Sequence, residues 1–169
     1  MKSTFKALWR WLLTILLYVG VGFLLLHILN TQIEKSGISP AGYWLATWQE
    51  NCRAMLFETF VVSFGLVCVW NLFSWLFLGG RKAGRGAVAL NGALLLVHVL
   101  AGGFVLYRYI QYVIKSFFQM PTVPLYFMPL LVFSVLFFFV TRLLGPERVA
   151  HRFGFLNRVR QHIPGLRYV

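Results

Sequence analysis

Four apolar stretches, each long enough to cross a bilayer, account for most of this chain. They run approximately over residues 11–29, 54–78, 87–107 and 123–141. A helix needs about 20 apolar residues to cross the hydrocarbon layer, and its backbone hydrogen bonds are satisfied there without water. The sequence therefore predicts an all-α, polytopic membrane protein with four transmembrane helices, built as a single membrane domain over residues 1–169.

The composition excludes an ordinary soluble domain. Hydrophobic residues make up 59% of the 169 residues, and charged residues only 12%. A soluble globular domain of this size carries about 25% charged residues and alternates apolar with polar positions. The first apolar stretch, of about 19 residues, also exceeds the 7–15 residues of a signal peptide's apolar region, so we expect it to be retained as a span.

The basic residues predict the orientation in the membrane. Of the 16 Lys and Arg residues, only Lys35, Arg53, Arg108 and Lys115 would lie on the outer side. The positive-inside rule therefore predicts that both termini are cytoplasmic, with a basic tail over residues 142–169. We expect a multi-pass protein of the plasma (inner) membrane, bacterial in view of its small size and short loops. The twelve basic residues assigned to the cytoplasmic side are Lys2, Lys6, Arg10, Arg81, Lys82, Arg85, Arg142, Arg148, Arg152, Arg158, Arg160 and Arg167.

Two asparagines lie within the predicted spans at matching depths. If residues 79–86 form the turn between the second and third spans, Asn71 and Asn91 lie ten residues on either side of residue 81. Their side-chain amides are then expected to form a hydrogen bond across the hairpin, worth about 0.6 kcal/mol on average in a membrane. This contact would fix the hairpin.

Three titratable residues are further candidates. The same hairpin register brings Glu58 close to Arg108, which predicts an ion pair at the outer interface because an unpaired carboxylate is costly there. His98 lies near the middle of the third span, roughly opposite Phe64. A membrane histidine can relay protons, but the sequence places no Asp or Glu at its depth, which favours a structural role.

Motifs for catalysis or for metal and cofactor binding are missing from the sequence. The chain has four acidic residues, all glutamate, and its two cysteines, Cys52 and Cys68, are sixteen residues apart. No paired carboxylates, Ser-His-Asp set or zinc-binding spacing is formed. We therefore predict no catalytic, metal or cofactor residues, and a protein that is not an enzyme.

The basic tail has an amphipathic pattern. From Pro146 to Ile163, apolar residues recur at spacings of three and four, which predicts a short helix with one apolar face. Such a helix would lie on the inner leaflet and bind anionic lipids, at about 1 kcal/mol for each arginine. Because a membrane surface is within reach, nucleic acid is not a predicted partner. The candidate lipid contacts are Arg148, Arg152, Arg158, Phe153 and Leu156.

The two outer loops are rich in aromatic residues. Around Tyr43, Trp44 and Trp48 the pattern is typical of an aromatic belt at the headgroup level, with a short interfacial or re-entrant helix near residues 42–51. A groove for a lipid-linked substrate or a partner helix is the alternative interpretation. The sequence favours the belt.

The hairpin and the segment after it resemble a known membrane module. A basic turn is followed by an apolar span, then by Tyr107-Arg108-Tyr109 and by Phe117-Phe118-Gln119-Met120-Pro121. Over about residues 54–124 this is similar to the N-terminal membrane module of lipoteichoic acid synthases and related phosphoglycerol or phosphoethanolamine transferases. Those enzymes carry a large extracellular metal-dependent domain with a threonine nucleophile. The resemblance therefore implies the membrane module without its catalytic domain.

Three functional hypotheses follow. The first is a non-enzymatic accessory or anchor subunit of a cell-envelope complex for polymer synthesis, export or secretion, with other membrane proteins as partners. The second is a small transporter or oligomeric pore, for which Asn71, Asn91 and His98 do not form a continuous polar path. The third is the catalyst-less transferase-like module. We favour the first.

Overall fold

The computed structural model describes residues 2–35, 43–78, 85–116, 123–144 and 154–162, and the described chain is helical almost throughout. Side chains are described for most of these residues. The helices are α1 (Lys2–Lys35), α2 (Tyr43–Leu78), α3 (Arg85–Ser116), α4 (Val123–Leu143) and α5 (Gly154–His162). The predicted all-helical class is confirmed.

Three of these helices are long and apolar enough to cross a membrane. The apolar segments are Leu8–Gln32, Glu50–Ser74 and Gly86–Gln111. A segment of 25 residues rises about 37 Å, which exceeds the roughly 30 Å of hydrocarbon. The described apolar part of α4, Phe127–Leu143, is shorter. The structure is thus compatible with a membrane location.

The helices extend beyond the predicted spans. α1 runs from Lys2 to Lys35, and α2 begins at Tyr43 rather than near residue 54. The short helix predicted near residues 42–51 is therefore the first part of α2. Between Tyr43 and Phe64 the sequence has neither glycine nor proline, so nothing in this part of the backbone interrupts the helix.

We call the end of the bundle where α2 stops and α3 starts the hairpin end, and the other end the loop end. α1 is antiparallel to α2, because Tyr18 contacts Ser63 while Asn30 contacts Arg53. α2 packs against both α3 and α4, and α1 packs mainly on α2. The start of α1 therefore lies at the hairpin end.

Aromatic side chains fill the middle of the bundle. The Tyr18 ring of α1 stacks on Phe133 of α4 at 6.1 Å between centroids, and it meets Phe60 of α2 edge-on at 6.2 Å. Phe60 in turn stacks on Phe64. α4 thus completes a core that α1 and α2 share. The buried residues of this core are Tyr18, Leu25, Leu56, Val67, Phe133, Phe137, Val140 and Leu144.

Two smaller clusters lie at the ends. At the loop end, residues of α1, α2 and α3 pack together: Leu29, Cys52, Met55, Val105, Leu106 and Tyr109. At the hairpin end, Trp70 of α2 packs on Ala87 of α3.

The outward faces of the helices are also apolar. Phe23, Phe57 and Leu131 have about two thirds of their surface exposed (69%, 66% and 67%). Large apolar side chains are exposed on each of α1 to α4, and a water-soluble protein rarely exposes apolar surface on this scale. Hydrocarbon is a suitable surrounding for these side chains.

Candidate functional site

Polar side chains within the apolar helices form three groups, one at each end of the bundle and one in its middle. Each group belongs to helices that the aromatic core holds in place. Polar groups at membrane depth are costly and are therefore candidates for function.

The loop-end group is centred on Glu58 of α2. Tyr109 of α3 donates its hydroxyl hydrogen to Glu58 Oε1 at 2.6 Å, and Arg108 Nη2 lies 3.3 Å from the same oxygen. The structure thus brings together the two residues that the sequence paired, Glu58 and Arg108. Their side chains are 35% and 49% exposed, so the ion pair itself contributes little.

Tyr109 is the member of this group that sequence reasoning missed. Its residue is only 7% exposed, in the loop-end cluster, while the Arg108 guanidinium lies 5.6 Å from the centre of its ring. The available signal was the position of Tyr109, one residue beyond Arg108. A second contact at this end joins α1 to α2, where Arg53 donates to Asn30 Oδ1 at 3.2 and 3.3 Å.

The middle group contains the predicted candidate His98. It is almost fully buried, with Nδ1 3.3 Å from the Ser134 hydroxyl of α4 and its ring stacked on Phe137 at 5.2 Å. Both contacts come from α4, whereas the sequence placed Phe64 opposite. This arrangement fixes the orientation of the imidazole ring. Among the described residues, no group of three or more His, Cys, Asp or Glu side chains is placed to hold a metal ion.

A second hydrogen bond in the middle was not predicted. The Tyr18 hydroxyl lies 2.9 Å from Ser63 Oγ, and Ser63 can also reach the Phe133 carbonyl at 3.5 Å. Tyr18 and Ser63 are both fully buried. One small polar contact therefore ties α1 and α2 together beside α4.

The predicted hydrogen bond between Asn71 and Asn91 is not formed. Nδ2 of each residue is buried and has no hydrogen-bond partner among the described residues. Asn71 lies seven residues after Phe64 and eleven after Phe60, which puts it on the same face of α2 as these two rings. That face contacts Tyr18 of α1. The two asparagines were expected to meet because they lie at equal depth, but their amides do not form a hydrogen bond.

The hairpin-end group contains four polar side-chain atoms of α2 and α3. They are Trp70 Nε1, Asn71 Nδ2 and Ser74 Oγ of α2 and Asn91 Nδ2 of α3, all buried and all without a hydrogen-bond partner in the described chain. Buried polar atoms normally have a partner. We call these residues the donor cluster.

The tail is described only in part. α5 begins at Gly154 and ends at His162, within the predicted helical segment that runs from Pro146 to Ile163. Arg158 is exposed and Val159 is half-buried, while Phe155 is 70% exposed. Three predicted lipid contacts, Arg148, Arg152 and Phe153, lie outside the described residues, as does the side chain of Leu156.

Comparison of the chain with family models, with curated proteins and with solved structures gave no match. The resemblance to the lipoteichoic acid synthase module therefore stays a prediction from the sequence.

Proposed function

We propose that the chain crosses the membrane four times with both termini in the cytoplasm. α4 supports this proposal because its 21 residues pack along α2 and α3 and contribute Phe133 and Phe137 to the core at 0% exposure. A helix that packs against spanning helices along its length can cross with them. The proposed orientation follows from the positive-inside rule, applied to the twelve basic residues at the hairpin end and in the tail.

Within that topology, we propose that the protein is a non-enzymatic accessory or anchor subunit of a cell-envelope complex. One observation carries this proposal: polar contacts in the loop-end and middle groups join different helices. Glu58 with Tyr109, Tyr18 with Ser63, and His98 with Ser134 connect α2 to α3, α1 to α2, and α3 to α4. Groups used in this way fix a scaffold, whose apolar outer face is then free to contact other membrane proteins.

An oligomeric pore is the second candidate, and the donor cluster is the observation in its favour. It gives the bundle a polar interior at the hairpin end. The aromatic core fills the middle of the same bundle, so a path would have to run between copies of the chain. Anionic lipid at α5, where Arg158 is exposed, fits either proposal.

In-membrane photocrosslinking combined with affinity purification tests the proposal. A photoreactive amino acid at Phe57 or Phe104, which are 66% and 62% exposed, should capture a distinct membrane protein in stoichiometric yield. The same probe at the fully buried Phe133 should give no intermolecular product and serves as the matched control.

The products decide between the candidates. A heterologous partner identified by mass spectrometry, which also survives purification in mild detergent, supports the accessory subunit. Crosslinks only between copies of this chain would reject the accessory subunit and favour the oligomeric pore.

A further inference from the structure

α1 and α2 meet along one line that runs from the loop end to the middle of the bundle. At the loop end Arg53 of α2 donates to Asn30 of α1. Further along, a Cβ atom added at Gly22 would lie 3.5 Å from the Phe60 ring, and Tyr18 meets the same ring edge-on. We call this line of contacts the α1–α2 seam. Arg53 therefore lies where the seam reaches the loop end.

The Arg53 guanidinium is held in one orientation and keeps donors for a further acceptor. Its Nε and Nη2 atoms lie 3.3 and 3.2 Å from Asn30 Oδ1, and the side chain is exposed. These two bonds use one edge of a planar group that carries five N–H donors. Asn30 is neutral, so it orients the guanidinium without balancing its charge. A guanidinium oriented in this way suits a phosphate, which accepts two parallel hydrogen bonds from it.

The level of Arg53 in the membrane follows from both helices. Asn30 lies near the end of the apolar segment Leu8–Gln32, and Arg53 lies near the start of the apolar segment Glu50–Ser74. Segments of this length cover the hydrocarbon layer, so their ends reach the headgroup region. The guanidinium is therefore at the level of the phosphates in the leaflet at the loop end.

Exposed aromatic side chains continue from Arg53 into the hydrocarbon. Phe57 lies one turn beyond Arg53 on α2, and Phe23 lies two turns before Asn30 on α1. They are 66% and 69% exposed, and they are close in sequence to Phe60 and Gly22 of the seam. An acyl chain attached to a phosphate at Arg53 would meet these two rings.

An acidic side chain lies on the water side of Arg53. Glu50 precedes Arg53 by one turn, so the two residues share a face of α2 and differ in depth by about 4.5 Å. Glu50 is exposed, and the ion pair described at this end of the bundle joins Glu58 to Arg108. A cation at the phosphate level with an anion nearer to water is complementary to a headgroup in which an ammonium group follows the phosphate.

We propose that the α1–α2 seam binds one zwitterionic phospholipid with a primary ammonium group, of the phosphatidylethanolamine type, in the leaflet at the loop end. Its phosphate accepts hydrogen bonds from Arg53, its ammonium group donates to Glu50, and an acyl chain lies against Phe57 and Phe23. Asn30 is a positioning residue, because it acts through the guanidinium. The proposal depends neither on the side of the membrane that the loop end faces nor on the role of the protein as an accessory subunit.

Native mass spectrometry and thermal unfolding of the purified full-length protein test the site. The lipid probes are phosphatidylethanolamine, phosphatidylcholine and phosphatidylglycerol, and glycerophosphoethanolamine supplies the headgroup without acyl chains. The variants are Arg53→Gln, Glu50→Gln and Asn30→Leu. The matched control is Arg108→Gln, which makes the same change at the same end of the bundle, where the cation is paired with Glu58.

We expect the wild type and the control to retain one phosphatidylethanolamine and to melt at a higher temperature in its presence. Phosphatidylcholine, whose ammonium has no N–H to donate, and phosphatidylglycerol, which has no ammonium, should be retained less.

The variants should separate the two charges. Arg53→Gln should weaken the retention of phosphatidylethanolamine on the order of ten-fold, because charge-assisted hydrogen bonds to the phosphate are lost, and Asn30→Leu should weaken it less. Glu50→Gln should weaken the retention of phosphatidylethanolamine but not that of phosphatidylglycerol. Arg53→Lys keeps the charge without the fork; it should give an intermediate loss and covers the case in which Arg53→Gln does not fold.

Four results would overturn the proposal. Unchanged retention of phosphatidylethanolamine by Arg53→Gln would exclude the phosphate contact, and an equal loss in Arg108→Gln would show a general attraction of lipid to exposed arginines. Tighter retention after Glu50→Gln would show that Glu50 competes with the phosphate for Arg53. Saturation by glycerophosphoethanolamine at the concentrations at which the lipid binds would exclude a role for the aromatic rings. Photocrosslinking from Phe104 of α3 involves neither α1 nor Arg53, so the two proposals fail separately.

Discussion

At the scale of single residues, tyrosine hydroxyls make two of the polar contacts between helices. Tyr18 and Tyr109 each bury an aromatic ring and place the hydroxyl against a polar group of α2, Ser63 and Glu58 respectively. A tyrosine can do this in an apolar interior because only the tip of its side chain is polar. Two of the helix contacts therefore depend on single oxygen atoms.

The first prediction compares the two donors to Glu58. Tyr109→Phe should lower the free energy of unfolding by about 1–2 kcal/mol, because it removes a part-buried hydrogen bond to a charged group. Arg108→Gln should cost less than about 1 kcal/mol, because the ion pair is exposed and screened. Denaturant unfolding in detergent measures both variants, and a larger loss for Arg108→Gln would contradict the assignment.

At the scale of helices, α3 and α4 meet at Gly102, which lies against the Leu130 side chain. A Cβ atom added at Gly102 would lie 2.5 Å from Leu130 Cδ1, whereas one added at the neighbouring Gly103 would have nothing within 4 Å. The Leu130 side chain thus occupies the space that a larger residue at position 102 would need, one turn from the contact between His98 and Ser134.

The second prediction follows from this contact. Gly102→Val should destabilise the protein by about 1–3 kcal/mol, since α4 has to move or Leu130 has to leave its rotamer. Gly103→Val makes the same change of residue type in the same helix and should be tolerated. Thermal unfolding of the two variants side by side provides the measurement; equal losses would show that helix propensity, and not packing, decides the outcome.

The third prediction concerns α5. A peptide of residues 146–163 should be unstructured in buffer, because so short a helix is marginal alone, and helical on anionic vesicles. Replacing Phe153 and Leu156 with serine should abolish insertion, and replacing Arg152 and Arg158 with glutamine should weaken it by about 2 kcal/mol in total.

Circular dichroism and vesicle titration follow both effects, and affinity should fall with added salt. A peptide that ignores anionic vesicles would mark the tail as a segment that docks on a protein.

The sequence was informative about the helices and less so about their partners. Apolar length alone predicted α1 to α4, because a bilayer requires about 20 apolar residues whatever lies next to them. Which face of α2 meets which helix depends on packing among distant segments, so Asn71 was assigned to the wrong neighbour. The contact between His98 and Ser134 joins residues 36 positions apart, and no local sequence pattern predicts it.

At the scale of the whole molecule, the bundle has polar contacts at the loop end and aromatic packing in the middle, and at the hairpin end it has buried donors that find no acceptor among the described residues. The proposed topology puts that last end in the cytoplasm.

The fourth prediction tests this topology. Reporter fusions after Glu34 and Lys115 should be active outside, and fusions after Arg85 and Val169 should be active in the cytoplasm. Two kinds of reporter, one active only outside and one active only in the cytoplasm, determine the side of the membrane independently at each fusion site. A cytoplasmic signal after Lys115 would show that the chain does not cross four times.

The packing of α4 has a consequence for the biogenesis of the protein. Translation proceeds from α1, so α1, α2 and α3 are made before the helix that supplies Phe133 and Phe137 to the core. Until then Tyr18 lacks its stacked ring and His98 lacks the Ser134 hydroxyl. An arrested nascent chain ending before Val123 should therefore remain accessible to insertases and membrane proteases. Once α4 has been released from the ribosome, the chain should become resistant to these proteases.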